Sequence, residues 1–237
     1  MMKPHVLALV GAALCVSHTA HAVEVTGGSV GLSFSGFTDD LDVNRLALEG
    51  SVEFGWTRNW ASQLDLTFNQ FGSSGADTRS LGVHTIYHLN DATSFGLFYT
   101  IEDGDGDDVD IVGLEAGHEL GNWDVEGFFG KADSAGAGSA NMLGVMGRTE
   151  LKNGYGFAAE YQSVDVGGID VERLSVSVDR DLNDSTNLFV EVGTARVRVG
   201  GVSGSEPFIG FGGTYRFGAD RGATFNARNV SRILPGG

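Results

Sequence analysis

Residues 207–217 read Pro207-Phe208-Ile209-Gly210-Phe211-Gly212-Gly213-Thr214-Tyr215-Arg216-Phe217. Every second position from Ile209 to Phe217 is apolar or glycine, whereas Thr214 and Arg216 lie between these positions. Because successive side chains of a strand point to opposite faces, this alternation predicts a β-strand with a different environment on each face. One strand cannot bury its apolar face alone, so the fold depends on whether the pattern recurs.

The same alternation recurs from residue 28 onward, and helical periodicity is almost absent. It predicts twelve strands, at 28–36, 45–56, 60–71, 80–89, 94–102, 110–120, 122–132, 141–151, 155–164, 171–182, 186–197 and 207–217. An even number of antiparallel strands places both ends of the sheet on the same side. We therefore predict an all-β fold, an antiparallel barrel of about twelve strands.

The predicted connections alternate in length. Those after the even-numbered strands are short and rich in Asn, Asp and Gly, which favour tight hairpins, and they lie at 57–59, 90–93, 121, 152–154 and 183–185. The others are longer, at 38–44, 72–79, 103–109, 133–140, 165–170 and 198–206. All three tryptophans, Trp56, Trp60 and Trp123, lie beside the short turns. Short turns, long loops and an aromatic rim are typical of outer-membrane barrels.

Residues 1–22 have the three parts of a secretory signal peptide. Lys3 gives a positive start, residues 6–16 form an apolar run, and Ala20-His21-Ala22 fits the cleavage site. The run of 11 residues is too short to span a bilayer. Cys15, the chain's single cysteine, lies in this leader, so we expect no disulfide and no thiol chemistry in the mature chain.

The charge is strongly acidic. After removal of Lys3 with the leader, 14 basic and 31 acidic residues remain, a net charge of −17. Nucleic-acid binding requires a basic face, so this function class is excluded. An acidic chain favours cations as partners and also keeps the protein soluble.

The end of the opening segment, Gly212-x-x-Tyr215-x-Phe217, resembles the C-terminal insertion signal of Gram-negative outer-membrane β-barrels. Together with the leader, the strands and the aromatic rim, residues 23–217 resemble the porin-like family of these barrels. The resemblance implies a transmembrane β-barrel with short periplasmic turns and longer extracellular loops, in contact with outer-membrane lipid and lipopolysaccharide. It also implies passive diffusion of small hydrophilic solutes or ions, with no catalytic residue and no cofactor.

In such a barrel the apolar face contacts lipid and the opposite face lines the lumen. That inward face carries thirteen acids against four arginines. The expected pore-lining residues are Arg45, Glu49, Glu53, Asp65, Glu115, Glu126, Arg148, Glu160, Arg173 and Glu191. Since unpaired carboxylates are costly in a dry core, we predict a wet, negative lumen and a channel that prefers cations.

The sequence leaves alternatives open for the lumen and for the function of the barrel. The barrel could instead be non-conducting, with charge pairs filling its lumen and acidic loops binding a ligand or partner. Four inward aromatic residues either narrow the channel, line an apolar path or fill space opposite inward glycines; they are Phe98, Phe128, Phe189 and Phe208, and the glycines are Gly96, Gly130, Gly193 and Gly210. An outer-membrane enzyme is a third class, but no nucleophile motif supports it.

One acidic loop is a weak candidate for metal binding. Asp103, Asp105 and Asp107 have the first spacings of an EF-hand loop, but Asp108 and Leu114 replace its Gly and Glu. We therefore predict no specific metal site and at most loose Ca²⁺ contact at the extracellular loops.

The tail, residues 218–237, continues beyond Phe217, where members of the family usually end. It carries Arg221, Arg228 and Arg232 but only one acidic residue, Asp220. We expect it either to remain a disordered periplasmic tail or to fold into the periplasmic mouth, pair with lumen carboxylates and form a partial plug.

Overall fold

The computed structural model describes residues 23–72, 74–104, 108–136, 138–218 and 223–235. The predicted signal peptide, residues 1–22, lies outside these ranges. The described chain contains two short 3-10 helices, Lys152–Gly154 and Ser231–Ile233, and twelve strands: β1 Glu24–Phe37, β2 Asn44–Gly55, β3 Trp60–Phe71, β4 Asp77–Asn90, β5 Thr93–Asp103, β6 Asp108–Leu120, β7 Trp123–Ser134, β8 Gly138–Glu150, β9 Tyr155–Val166, β10 Ile169–Asn183, β11 Thr186–Val199 and β12 Val202–Gly218. No helix in the described part of the chain has the length and apolar character needed to span a membrane.

The twelve strands form one closed antiparallel barrel, as the sequence predicts. Each strand pairs with its neighbours in sequence, and β1 pairs with β12 from Gly27↔Gly218 to Phe37↔Phe208. Closure leaves no sheet edge with unpaired backbone groups. Every strand can therefore face hydrocarbon on its outer side.

The two ends of the barrel differ. The turn end holds Glu24, Gly218 and the short connections of the even-numbered strands, and the loop end holds the other connections. At the turn end, Asn90 and Asn183 each accept a 2.9 Å hydrogen bond from the backbone N–H two residues later. These matching Asx turns satisfy the backbone within two-residue hairpins.

At the loop end, three predicted connections are wrong in length. The segment 133–140 is shortened, because β7 continues to Ser134 and β8 begins at Gly138. The segments 165–170 and 198–206 are not loops, because the strands continue through them to two-residue Gly-Gly turns. Gly167 and Gly168 have φ of 58° and 86°, and Gly200 and Gly201 have φ of 57° and 86°. Positive φ at both central residues produces the hairpin turn whose twist matches the strands, and glycine adopts it without steric cost.

The outer face is apolar and exposed, whereas the inner face is buried. Leu97 and Leu114, which pair across β5 and β6, are 57% and 59% exposed on the outer face. The rim of tryptophans lies at the turn end, where Trp60 packs against Tyr87 with ring centroids 5.0 Å apart. An apolar belt bounded by aromatic residues matches the profile of a bilayer.

The inward phenylalanines lie across glycines of neighbouring strands. A Cβ atom at Gly193 would lie 2.6 Å from the Phe208 ring, and one at Gly212 would lie 2.7 Å from the Phe189 ring. Phe98 covers Gly113 and Gly130, and Phe128 covers Gly144 in the same way. The space-filling interpretation therefore fits at Gly130 and Gly193, whereas Gly96 faces Glu115 and Phe225, and Gly210 faces Glu191 and Ser35.

The apolar belt predicts that the cost of an outward-facing arginine depends on its depth in the membrane. We expect Leu97→Arg, near the middle of β5, to destabilise the folded barrel by about 2–4 kcal/mol, because a guanidinium at mid-membrane loses its hydration. Leu120→Arg is the matched control: Leu120 is also outward and 64% exposed, but it ends β6 at the turn end. Its cost should be about 0–1 kcal/mol. Urea unfolding of the barrel in lipid vesicles measures both, and equal costs would contradict the placement of the belt.

Candidate functional site: the barrel lumen

The lumen contains a polar cavity of about 320 Å³ along one side of the barrel, beside β1, β2 and β8–β12. Of the ten expected pore-lining residues, six border this cavity: Arg45, Glu49, Arg148, Glu160, Arg173 and Glu191. Strand alternation places these side chains on the inner face, and neighbouring strands bring them to one wall. The wall also presents several serines, so it is hydrophilic over much of its surface.

The charges on this wall are largely paired. Arg173 Nη2 donates to both carboxylate oxygens of Glu191 at 2.7 Å. Arg148 Nη2 donates to Asp179 at 2.8 Å, and Arg216 Nη2 donates to Asp181 at 2.6 Å. Glu49 is the exception, since its carboxylate lies 4.0 Å from Arg232 and keeps about 30% of its side-chain exposure. Glu49 is therefore the wall carboxylate most available to a passing ion.

Residues 223–235 lie inside the barrel and run from its turn end towards its loop end. Near the turn end, the Thr224 N–H donates to Glu53 at 2.9 Å. Towards the loop end, Ser35 Oγ donates to the Pro235 carbonyl at 2.9 Å. We call residues 223–235 the lumen segment. It separates the polar cavity from the inner face of β3–β7.

The lumen segment covers buried acids on that opposite side. His84 is fully buried, with Nε2 2.7 Å from Asp65 and Nδ1 2.6 Å from Glu115. Arg228 Nε donates to the other oxygen of Glu115 at 3.0 Å, and its Nη2 bonds to Glu126. These buried carboxylates are thus compensated by a histidine and a guanidinium, as buried charges require.

Apolar contacts complete the packing. Ile233 belongs to a buried cluster with Phe98, Ile111 and Phe128. Phe225 packs with Ala61 and Ile86, and its ring stacks on His84 at 6.4 Å. These side chains consequently fill the lumen beside β3–β7.

The remaining four expected pore residues point inward but do not border the polar cavity. Glu53, Glu115 and Glu126 bond to the lumen segment. Asp65 bonds to Gln63 and His84 of the wall. The expectation of a wet interior is therefore wrong for this side of the lumen, because paired partners make the burial of these acids tolerable. Strand alternation places Gln63 on the inner face, but sequence reasoning missed Phe225 and Ile233 as lumen contacts. Their signal was faint: one apolar residue before Arg228 and one after Arg232.

The acidic loop gives no further support for a metal site. Asp103 ends β5, but Asp105 and Asp107 lie outside the described residues. Within the ranges that the structure describes, no group of three or more His, Cys, Asp or Glu side chains is arranged to hold a metal ion.

His84 provides a test of the buried charge network. We expect His84→Ala to lower the free energy of unfolding by about 3–5 kcal/mol, because two carboxylates lose a shared partner in a buried site. His118→Ala is the control, since His118 is exposed and, within the described chain, its side chain bonds only to Thr93 Oγ1, at 2.9 Å. Urea unfolding in lipid vesicles gives both values. If both variants lost a similar small amount of unfolding free energy, His84 would not stabilise the buried carboxylates of Asp65 and Glu115.

Comparisons with known proteins agree with this geometry. The barrel is similar to the KdgM porin, solved in complex with disordered oligogalacturonate, with a TM-score of 0.61 and 12% identity over 80% of this chain and 99% of that one. It is also similar to the NanC porin, with a TM-score of 0.61 and 8% identity over 78% and 98%. An outer membrane channel from Pseudomonas putida F1 gives a TM-score of 0.55 and 13% identity over 85% and 98%. At these identities the likeness shows the fold alone.

Sequence comparison identifies the family. No curated protein matches the chain significantly. The sequence profile of Gram-negative porins, however, matches residues 10–200, which is most of the chain. The chain belongs to the Gram-negative porin family and is an outer-membrane channel for small solutes.

Proposed function

We propose that small hydrophilic solutes diffuse passively through the polar cavity, between the lumen segment and the wall formed by β1, β2 and β8–β12. The observation that supports this path is the cavity itself, about 320 Å³ inside a closed barrel and lined by charged and hydroxyl side chains. At about 30 Å³ per water, such a space holds roughly ten waters, enough for a hydrated ion or a small molecule. Bulky solutes are excluded.

We further propose that the channel prefers cations, but only moderately. The inward face predicted from the sequence carries thirteen carboxylates against four arginines, and the lumen segment adds Arg228 and Arg232. This excess gives the lumen a negative potential, which raises the local concentration of cations. The preference is moderate because most of the carboxylates beside the cavity already pair with arginines.

The same charges bear on the class of solute. KdgM was solved with oligogalacturonate, which is a polyanion. In the present chain a polyanion would meet the carboxylates of Glu49, Glu160 and Glu191 along the cavity. We therefore propose neutral or cationic solutes, and we propose that lipid and lipopolysaccharide contact the outer apolar belt.

Glu49 tests the path and its selectivity together. In planar bilayers the full-length barrel should give discrete conductance steps, and its reversal potential in a KCl gradient should show K⁺ preference. Glu49→Gln should shift that potential towards zero, because it removes the most exposed carboxylate of the cavity. Asp133→Asn is the matched control: it removes the same charge from the outer face, where Asp133 lies 3.7 Å from Lys131. We expect no shift for this control.

Other outcomes separate the alternatives. Steps with Cl⁻ preference would retain the channel and refute the cation preference. A shift of equal size in both variants would mean that the cavity is not the path. A folded barrel without any steps would favour a non-conducting surface barrel, for which the packing of residues 223–235 inside the lumen is the supporting observation.

A further inference from the structure

We infer that the barrel lumen is a binding site for a basic peptide and that the chain's own residues 223–235 are its resident ligand. The lumen wall contacts the main chain of this segment, both arginines of the segment and two of the segment's apolar side chains. These three kinds of contact are what a peptide site provides, and a lumen that merely tolerates a tail needs none of them.

The main chain of the segment is bound by wall side chains at both ends. Gln63 donates to the Phe225 carbonyl at 2.7 Å and accepts from the Phe225 N–H at 3.1 Å. Glu102 accepts from the Val230 N–H at 2.7 Å and from the Ser231 N–H at 3.1 Å. Buried backbone groups outside regular structure need such partners, and here the wall supplies them.

Two wall arginines bind carbonyls of the same segment. Arg45 Nη1 donates to the Ser231 carbonyl at 3.3 Å, and Arg173 Nη1 donates to the Arg232 carbonyl at 3.0 Å. The wall thus presents donors to carbonyls and acceptors to N–H groups along one track. A main chain of any sequence can make these bonds, so they provide affinity without selecting the peptide.

The arginines of the segment provide selection by charge. Arg228 lies between Glu115 and Glu126, and its guanidinium stacks over the Phe128 ring at 4.4 Å. Four residues later, Arg232 lies 3.6 Å from Glu160 and 4.0 Å from Glu49. Guanidinium groups suit buried, multiply hydrogen-bonded carboxylate sites better than ammonium groups do.

Apolar pockets flank the two charged sites. The Phe225 ring occupies a pocket whose floor depends on glycine, because a Cβ at Gly96 would lie 2.9 Å from that ring. Ile233 occupies the second pocket, among Phe98, Ile111 and Phe128. The ligand class is therefore a peptide with an aromatic residue, an arginine three positions later, a second arginine four positions beyond it, and a branched aliphatic residue next.

Tethering explains why the site is occupied by the chain itself. Because the segment follows β12 closely, its effective concentration at the lumen is high, and a free peptide must compete with it. Weakening the segment without removing it should open the site. The double variant Phe225→Ser, Ile233→Ser keeps the whole chain and both arginines but loses both apolar contacts.

Peptide binding tests the site independently of conduction. A fluorescein-labelled peptide with the sequence of residues 223–235 is titrated, by fluorescence anisotropy in detergent, onto the wild-type barrel and onto the double variant. We expect saturable binding to the variant and much weaker binding to the wild type. A peptide with Gln at both arginine positions should bind about tenfold more weakly per arginine, because each loses charge-assisted hydrogen bonds. A peptide with Ser at positions 225 and 233 should also bind weakly.

Two results would overturn the inference. One is equal binding of the peptide to wild type and variant, which would indicate attachment to the outer surface. The other is a folded, heat-modifiable variant that binds no peptide.

A measurement on the otherwise unchanged chain covers the case in which the double variant does not fold. Ala227 is buried in the lumen segment, and the mature chain is expected to lack cysteine. Ala227→Cys should resist a maleimide that carries a polyethylene glycol chain, because this reagent is too large for the cavity. Asp39→Cys, at an exposed position after β1, should react at once. Equal reactivity at the two positions would show that the segment does not occupy the lumen.

Discussion

The constraint on which this structure depends is that hydrocarbon offers no hydrogen bonds to a peptide backbone. A strand exposed to lipid must satisfy every N–H and C=O through its neighbours, so the sheet has to close. Closure is achieved by the pairing of β1 with β12 from Gly27↔Gly218 to Phe37↔Phe208. Closure also determines which side chains occupy the lumen, since alternate side chains of every strand must point into it whatever their chemistry.

The crowding that follows is resolved in two ways. On one side, arginines and carboxylates of adjacent strands pair, as Arg173 and Glu191 do, and leave the polar cavity of about 320 Å³. On the other side, the carboxylates of Asp65 and Glu115 have no wall arginine within pairing distance in the described chain, and His84 and Arg228 compensate them. The barrel wall and the lumen segment therefore form one electrostatic unit.

Strand alternation allowed the wall to be predicted from the sequence. The twelve strands and the inward positions of Arg45, Glu49 and Glu160 follow from a period of two, which a sequence displays directly. The turns at Gly167 and Gly200 were missed because paired glycines occur both in flexible loops and in tight hairpins, and only strand register separates these cases.

The contacts of the lumen segment could not be predicted in the same way. Residues 223–235 have no regular secondary structure beyond one 3-10 turn, so no period marks which side chains point where. Their opposite charge suggested pairing with the lumen, but the partners depend on the height of each residue along the barrel axis. Height follows from the three-dimensional path of the chain, as shown by Arg228, which meets Glu115 more than a hundred positions away.

The position of the lumen segment after the last strand has a topological consequence. Since the segment joins the barrel at the turn end, it can enter or leave along the axis without the separation of any strand pair. Filling and emptying of the lumen therefore require only that the bonds between the segment and the side chains of the wall break, whereas opening the β1–β12 seam requires the loss of a whole ladder of backbone hydrogen bonds. The barrel and its contents are two cooperative units, and hydrogen exchange in the segment can proceed on a time scale of its own while the strands stay closed.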